Sequence, residues 1–238
     1  MWRFFFWSVV QLTVAVMVAA LAILATMFLF GSCASPPAPG VVPAPRGYAS
    51  EIDRLEYEAS VRLMVVCPDM SPRAGSGIAV SARHVITARH VIDCDGEGPR
   101  QILARLAGGS SVLAGVERVL VGPAADAALL VAEGFAAPFR GAVGVLELDA
   151  PRIGARVCVI AGGSSPSQSL RECGYVAGVW ESLIAISTRI VPGNSGAAAW
   201  DDRGRAIGIV TSGEWREGKE QYGVVLRASA LAELVPSE

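Results

Sequence analysis

Two glycines frame a serine in the stretch Val191–Gly196, which reads VPGNSG. The runs on either side, Ser182–Ile190 and Arg205–Gly213, are predicted to be strands. A tight turn between two strands can present the hydroxyl of Ser195 beside free backbone N–H groups. Acyl transfer requires this combination, because the nucleophile must lie next to donors for the developing oxyanion. Glycine, asparagine and serine also favour ordinary turns, so the stretch alone leaves both interpretations open.

A histidine and an aspartate could complete such a site. His90 follows the predicted strand Val85–Ala88 and is expected at its end, and Asp126 begins the predicted strand segment Asp126–Leu130, whose other residues are apolar. A histidine can take the serine proton near neutral pH. A buried carboxylate can hold the histidine tautomer and stabilise the imidazolium. We therefore predict a catalytic triad of His90, Asp126 and Ser195, each at the edge of a predicted strand.

The composition indicates an all-β domain. The chain has 238 residues, a formal net charge of -2 and no long basic run, so it gives no support for a nucleic-acid partner. Its 26 glycines and 14 prolines lie among many short Val/Ile/Leu runs, which favour a β-sandwich or a pair of barrels. The predicted strands are Val61–Cys67, Gly77–Val80, Val85–Ala88, Gln101–Leu106, Val112–Val121, Ala127–Val131, Val157–Ala161, Gly174–Val179, Leu183–Ile190, Ala206–Val210 and Tyr222–Leu226. A short helix is predicted at Ala228–Leu234, and Glu51–Ser60 is either a short helix or irregular.

Residues 1–33 are predicted to be a membrane anchor or a lipoprotein-type signal. The 27 residues Phe4–Phe30 include no charged residue, and a helix of this length would span about 40 Å, more than the roughly 30 Å of a bilayer's hydrocarbon core. Arg3 precedes the run, so the positive-inside rule places the N-terminus in the cytoplasm and the remainder outside. Alternatively, Phe-Gly-Ser-Cys33 resembles a bacterial lipoprotein processing box, in which the cysteine is lipidated. Both alternatives tether the remainder to the outer face of a membrane.

Residues 34–50 contain five prolines and no helical or strand period. This composition predicts an extended linker with polyproline character. The folded domain is then expected over residues 51–238, on the extracytoplasmic side, in the periplasm or at the cell surface.

Three segments give the chain a resemblance to the chymotrypsin-like serine proteases, nearest to the compact bacterial trypsin-like and high-temperature-requirement protease domains. They are Ile86–His90 (ITARH), Asp126–Leu130 (DAALL) and Pro192–Gly196 (PGNSG), in the order that the family has. The resemblance covers about residues 60–235. It implies two six-stranded antiparallel β-barrels with a short C-terminal helix, preceded in this chain by the N-terminal apolar helix.

The resemblance also implies a function, that of a serine endopeptidase acting on a protein or peptide substrate without a cofactor or a metal ion. The backbone N–H groups of Gly193 and Ser195 would form the oxyanion hole. The substrate-binding residues that it implies are Thr211, Ser212, Gly213 and Gly223. The first three would pair with the substrate as an added strand. The two glycines, lacking side chains, would leave the primary specificity pocket open.

The chain departs from the family pattern at several positions. Asn194 stands where trypsin-type zymogens have an aspartate, so we expect a domain that needs no activating cleavage. Arg189 stands six residues before Ser195, so the acidic pocket base of trypsin is not supplied there and cleavage after lysine or arginine is not implied. Arg89, beside His90, is also unusual and is expected to point to solvent.

An alternative function is a catalytically inactive protease-fold module that binds or scaffolds other molecules on the cell surface. Arg89 keeps this alternative open, as does Ala197-Ala198, where the family usually has Gly-Pro. The second histidine, His84, is expected in a turn before the strand and outside the site.

Four cysteines of the predicted domain can pair in three ways. We predict one disulfide between Cys67 and Cys94, which bracket the strands around His90, and one between Cys158 and Cys173, which would close a hairpin. Outside the cytoplasm, disulfides are favoured over free thiols.

Overall fold

The computed structural model describes residues 50–106, 111–119, 126–132, 145–162, 169–216 and 219–235. The predicted apolar span Phe4–Phe30, Cys33 and the predicted linker up to residue 49 lie outside these residues. No helix within the described ranges is long and apolar enough to cross a membrane.

The described chain consists mainly of strands that form two closed antiparallel barrels. Barrel 1 is built from β1 (Ser60–Val66), β2 (Pro72–Ala79), β3 (His84–Thr87), β4 (Gln101–Leu106), β5 (Ser111–Val119) and β6 (Ala128–Ala132). Barrel 2 is built from β7 (Arg156–Gly162), β8 (Ser169–Val179), β9 (Leu183–Ile186), β10 (Ala198–Trp200), β11 (Ala206–Arg216) and β12 (Lys219–Arg227). The implied pair of six-stranded barrels is thus confirmed.

Both barrels have the same topology. Around barrel 1 the strands follow the order β1-β2-β3-β6-β5-β4, and around barrel 2 the order β7-β8-β9-β12-β11-β10. In each barrel the third strand therefore pairs with the sixth. The sequence shows no repeat to the eye, so the duplication is visible only in the fold.

The core has three parts, because strands at the junction bury both of their faces. Val85 and Leu130 point into barrel 1, whereas Ile86 and Leu129 pack between the barrels. Trp200 of barrel 2, 1% exposed, belongs to the same shared core. A third cluster fills barrel 2. The strands β3 and β6 are therefore fixed from two sides, which makes them rigid supports for the residues at their ends.

The predicted strands correspond to eleven of the observed ones, with shifted ends. The strand predicted at Leu183–Ile190 stops at Ile186, and Ser187 then donates its backbone N–H to Tyr175. The strand β10 was not predicted. All three of its residues are buried, so it lacks the alternation by which a half-buried strand is recognised.

Three short helices lie within the described residues: α1 (Glu51–Ala59), α2 (Arg89–Ile92) and α3 (Ala228–Leu231), the last followed by a 3₁₀ turn at Ala232–Leu234. Ser50 caps α1 by accepting the N–H of Asp53. Arg171 of β8 forms ion pairs with Asp53 and Glu56 of α1. The helix predicted at the C-terminal end is confirmed, and the segment left open at Glu51–Ser60 is helical. The ion pairs of Arg171 connect α1 to barrel 2.

Both predicted disulfides are present. Cys67, just after β1, is bonded to Cys94, and Cys158 of β7 is bonded to Cys173 directly across the ladder on β8. The first closes a sequence separation of 27 residues around β2, β3 and α2. In the chain-entropy model, each of the two disulfides stabilises the folded state relative to the unfolded chain by about 3 kcal/mol.

Candidate active site

His90 lies in the first turn of α2, immediately after β3. The sequence predicted His90 at the end of a strand, but β3 ends at Thr87 and the chain then forms a four-residue helix. The imidazole Nδ1 lies 2.7 Å from Oδ2 of Asp126, and the backbone N–H of His90 donates to Oδ1 at 2.9 Å. Both carboxylate oxygens of Asp126 thus hold the same histidine.

The position of Asp126 follows from strand pairing. β6 begins two residues later, at Ala128, which pairs with Thr87 at the end of β3. Because β3 and β6 are antiparallel, the residues after β3 and before β6 emerge at the same end of the barrel. The fully buried Leu129 and Leu130 anchor β6 in this register.

The electrostatics of Asp126 favour the ionised form. Burial on its own would raise its pKa, but hydrogen bonds from the His90 ring and backbone, with the charges of His90 and Arg89, bring the pKa below its ordinary value of 3.8. An ionised carboxylate only accepts hydrogen bonds, so Nδ1 of His90 carries the proton and Nε2 remains an acceptor. Arg89 is exposed, as expected, and contributes to holding Asp126 ionised.

Ser195 lies in a compact turn between β9 and β10. Asn194 donates its N–H to the carbonyl of Val191 at 3.0 Å, and Ala197 donates to the carbonyl of Asn194 at 2.9 Å. Gly193 and Gly196 have φ values of 98° and 84°, which favour glycine.

The turn is bonded to both barrels. Gly196 donates to the carbonyl of Val210 in β11 at 2.7 Å. On the other side, Ser76 of β2 donates its backbone N–H to the carbonyl of Ser195 at 2.8 Å and its hydroxyl to the carbonyl of Gly193 at 2.7 Å. The turn therefore lies at the junction between the barrels, against the strands that lead to His90.

The Ser195 hydroxyl and two N–H groups of the turn are left without partners in the described part of the chain. The N–H groups of Gly193 and Ser195 donate to no acceptor there, and the Ser195 hydroxyl forms no hydrogen bond with His90. In enzymes without substrate, such catalytic hydrogen bonds are often long and tighten only when substrate binds. Two free donors beside a serine are suited to a developing oxyanion.

The residues flanking Ser195 are buried. Asn194 is 3% exposed, and its Oδ1 has no hydrogen-bond partner among the described residues. Ala197 and Ala198, which depart from the family pattern, are fully buried in the core of barrel 2 and in the shared core, respectively.

The predicted substrate-pairing residues belong to β11, which continues from Val210 past the serine turn. Thr211 is the extra residue of a bulge opposite β12, and Gly213 pairs with Gly223. Gly223 was expected to leave an open pocket wall. Ile190 lies against this glycine, since a Cβ added at Gly223 would stand 2.6 Å from Cγ1 of Ile190.

Sequence reasoning missed Ser76 and Thr87. Thr87 donates its hydroxyl to the carbonyl of Ser76 at 2.7 Å, and both residues are buried. The glycines on either side of Ser76 are the signal that could have pointed here, because glycine within a strand marks close backbone approach. His84, by contrast, is the first residue of β3 and contacts Glu117 and Ser81, outside the site.

A metal centre receives no support from this geometry. No group of three or more His, Cys, Asp or Glu side chains within the described residues is arranged to hold a metal ion.

Comparison with solved structures identifies the fold. The Rv3671c protease from M. tuberculosis in its active form is similar with a TM-score of 0.65 and 18% identity, over 77% of this chain and 82% of that one. The serine endoprotease from Yersinia pestis is similar with a TM-score of 0.63 and 22% identity, over 79% of this chain and 66% of that one. Curated protein sequences give no match.

The family is identified by a sequence model. The model of the trypsin-like peptidase domain matches residues 75–209, more than half of the chain, and the matched range includes His90, Asp126 and Ser195. The chain therefore belongs to the family of trypsin-like peptidase domains and is a serine endopeptidase.

Proposed function

We propose that the protein hydrolyses peptide bonds through a triad of Ser195, His90 and Asp126 and an acyl-enzyme intermediate. The observation that carries this proposal is the double hydrogen bond by which Asp126 holds both the ring and the backbone of His90. With Nδ1 bonded to Asp126, Nε2 of the neutral His90 ring remains an acceptor. His90 lies at the end of barrel 1 against which the Ser195 turn packs.

In the proposed mechanism Oγ of Ser195 attacks the scissile carbonyl carbon while Nε2 of His90 takes the hydroxyl proton. The carbonyl oxygen becomes an oxyanion that accepts hydrogen bonds from the N–H groups of Gly193 and Ser195. His90 then gives its proton to the leaving amine, and the C–N bond breaks. Water, deprotonated by His90, attacks the acyl-enzyme and releases the second product. Asp126 stabilises the imidazolium throughout, and no cofactor takes part.

The substrate is proposed to lie along the segment Thr211–Gly213 as an added strand. This segment continues from Val210, whose carbonyl accepts the Gly196 N–H, so it passes directly beside the nucleophile turn. The pocket beside it would be floored by Ile190, packed on Gly223. A floor made of a branched aliphatic side chain supports a preference for small apolar residues at the position before the scissile bond.

The protein is further proposed to be tethered to a membrane, with the protease domain on the extracytoplasmic side. The uncharged run Phe4–Phe30 with Arg3 before it supports this arrangement. The two disulfides support it independently, since disulfides persist in oxidising compartments. Whether the tether is a retained helix or a lipidated Cys33 does not alter the placement of the domain.

Labelling with a fluorophosphonate probe tests the triad. The wild-type protein should become labelled, Ser195→Ala should not, and His90→Ala should label and hydrolyse a denatured protein at least about 10⁴-fold more slowly. His84→Ala is the matched control, because it removes a histidine outside the site and should retain wild-type rates. A folded wild-type protein that does not label would contradict the proposal.

The lowered pKa of Asp126 predicts how stability depends on pH. Ionised Asp126 stabilises the fold fully above the ordinary carboxyl pKa of 3.8, and this contribution is lost as the pH falls through the lower folded value. In urea unfolding, Asp126→Asn should therefore be less stable than wild type at pH 7, with a difference that shrinks below about pH 4. His90→Ala, which removes the ring donor but keeps the backbone N–H, should weaken this pH dependence. A difference that does not change with pH would show that the carboxylate is not held ionised by its partners.

Peptide anilides that differ only in the residue before the scissile bond test the pocket. Wild type should prefer alanine and valine, and Ile190→Ala should raise kcat/KM for leucine and phenylalanine about 10-fold or more, because space is opened on Gly223. Ile160→Ala, an equal truncation in the core between the barrels, should lower stability and leave the preference unchanged. A wild-type preference for lysine or phenylalanine would refute the proposed floor.

Fractionation of cells that express the full chain tests the tether. The protein should sediment with membranes and resist alkaline carbonate, and external protease should reach its folded domain in spheroplasts. Mass spectrometry of the mature N-terminus distinguishes a retained helix from a lipidated Cys33. Recovery of the intact chain in the soluble cytoplasmic fraction would exclude both forms of tether.

A further inference from the structure

Ser76 contacts the nucleophile turn twice. It is 1% exposed, lies on β2 between two glycines, and faces the carbonyls of Gly193 and Ser195. The bond to Ser195 uses a backbone N–H, which almost any residue would supply. The bond to Gly193 uses the side-chain hydroxyl, at 2.7 Å, so it depends on the identity of Ser76.

The Ser76 hydroxyl binds the peptide unit that Gly193 shares with Asn194, whose N–H donates to the carbonyl of Val191 at 3.0 Å. Among the described residues, the bond from Ser76 is the one that connects this peptide unit to barrel 1. Glycine adopts positive and negative φ with similar ease, so sterics alone do not fix its orientation at 98°. Its N–H donates to nothing in the described residues, and its carbonyl accepts only the Ser76 hydroxyl there. The N–H of Gly193 belongs to the preceding peptide unit, so its direction relative to the held carbonyl depends on the backbone torsions of Gly193. If the carbonyl is released, these torsions can change and the N–H can turn away from the position of an oxyanion.

Ser76 is itself held from the side of the general base. Thr87 is fully buried and donates its hydroxyl to the carbonyl of Ser76 at 2.7 Å. The same Thr87 oxygen would lie 2.4 Å from a Cβ added at Gly196. Three residues after Thr87 comes His90. A continuous series of contacts therefore runs from β3, the strand that precedes His90, through Ser76 to the turn that contains Ser195.

We propose that Ser76 is a positioning residue that holds the N–H of Gly193 in its oxyanion-binding orientation. This inference rests on the proposed triad mechanism. It assigns the Ser76 hydroxyl a role in transition-state stabilisation, because oxyanion donors act on charge that is absent from the bound substrate. Loss of the hydroxyl should thus lower kcat and leave KM nearly unchanged.

Steady-state kinetics of Ser76→Ala in the full chain test the proposal. We expect kcat to fall by about 10- to 100-fold, less than or equal to the loss of an oxyanion donor itself. Affinity for a peptide boronic acid, which forms a tetrahedral adduct with the serine, should fall by a similar factor. Ser76→Cys, whose thiol is a weaker donor of similar size, should give an intermediate kcat.

Ser60→Ala is the matched control. Ser60 is also a buried serine whose hydroxyl donates to a backbone carbonyl, that of Glu56, at 2.7 Å, but it lies where α1 meets β1. Thermal unfolding should show losses of stability of the same order in both alanine variants, with kcat changed only in Ser76→Ala. An unchanged kcat in folded Ser76→Ala, or equal losses of kcat in both variants, would overturn the proposal. Absence of labelling in wild type would instead refute the triad mechanism on which it rests.

Discussion

The close backbone contact at Gly196 is the constraint on which the rest of the site depends. A Cβ at this position would stand 2.1 Å from the carbonyl oxygen of Ser76 and 2.9 Å from the backbone nitrogen of Ala88. The contact joins the turn of Ser195, which belongs to barrel 2, to the strands of barrel 1 that lead to His90. Any larger residue would force the turn away from barrel 1. Glycine at this position thus allows the turn of Ser195 to lie against the backbone that leads to His90.

The duplicated topology explains why the histidine follows a strand and the aspartate precedes one. In barrel 1 the third and sixth strands are antiparallel neighbours, so the end of β3 and the start of β6 share one rim of the barrel. Alternate residues of both strands are buried inside the barrel and between the barrels. Side chains that leave this rim are therefore carried by backbone fixed on two sides, and the carboxylate of Asp126 and the imidazole of His90 can be held 2.7 Å apart just outside the strands.

The contact between His90 and Asp126 and the two disulfide pairs could be predicted because each residue is marked by local sequence. A histidine after an apolar run and a serine between glycines can be recognised without knowledge of the remaining chain. The contacts missed join distant segments. The Ser76 hydroxyl donates to the carbonyl of Gly193, which is 117 residues away in the sequence. Ile190 fills the space beside Gly223 that a side chain would take, because β9 ends early and the following segment returns towards β12. Neither contact leaves a periodic pattern, so neither could be inferred from spacing. The strand β10 was missed because all its residues are buried.

The hydrogen bonds around the turn are distributed unevenly between the groups that the proposed mechanism uses and the groups that it does not use. The carbonyls of Gly193, Ser195 and Ser76 all accept hydrogen bonds, and none of them would change partner during acyl transfer. The hydroxyl of Ser195 and the N–H groups beside it have no such partners among the described residues. On the other side, the charge-assisted pair of His90 and Asp126 fixes the base before any substrate arrives. A site arranged in this way needs little reorganisation when charge develops, because the donors already exist and the groups that orient them do not take part in the reaction.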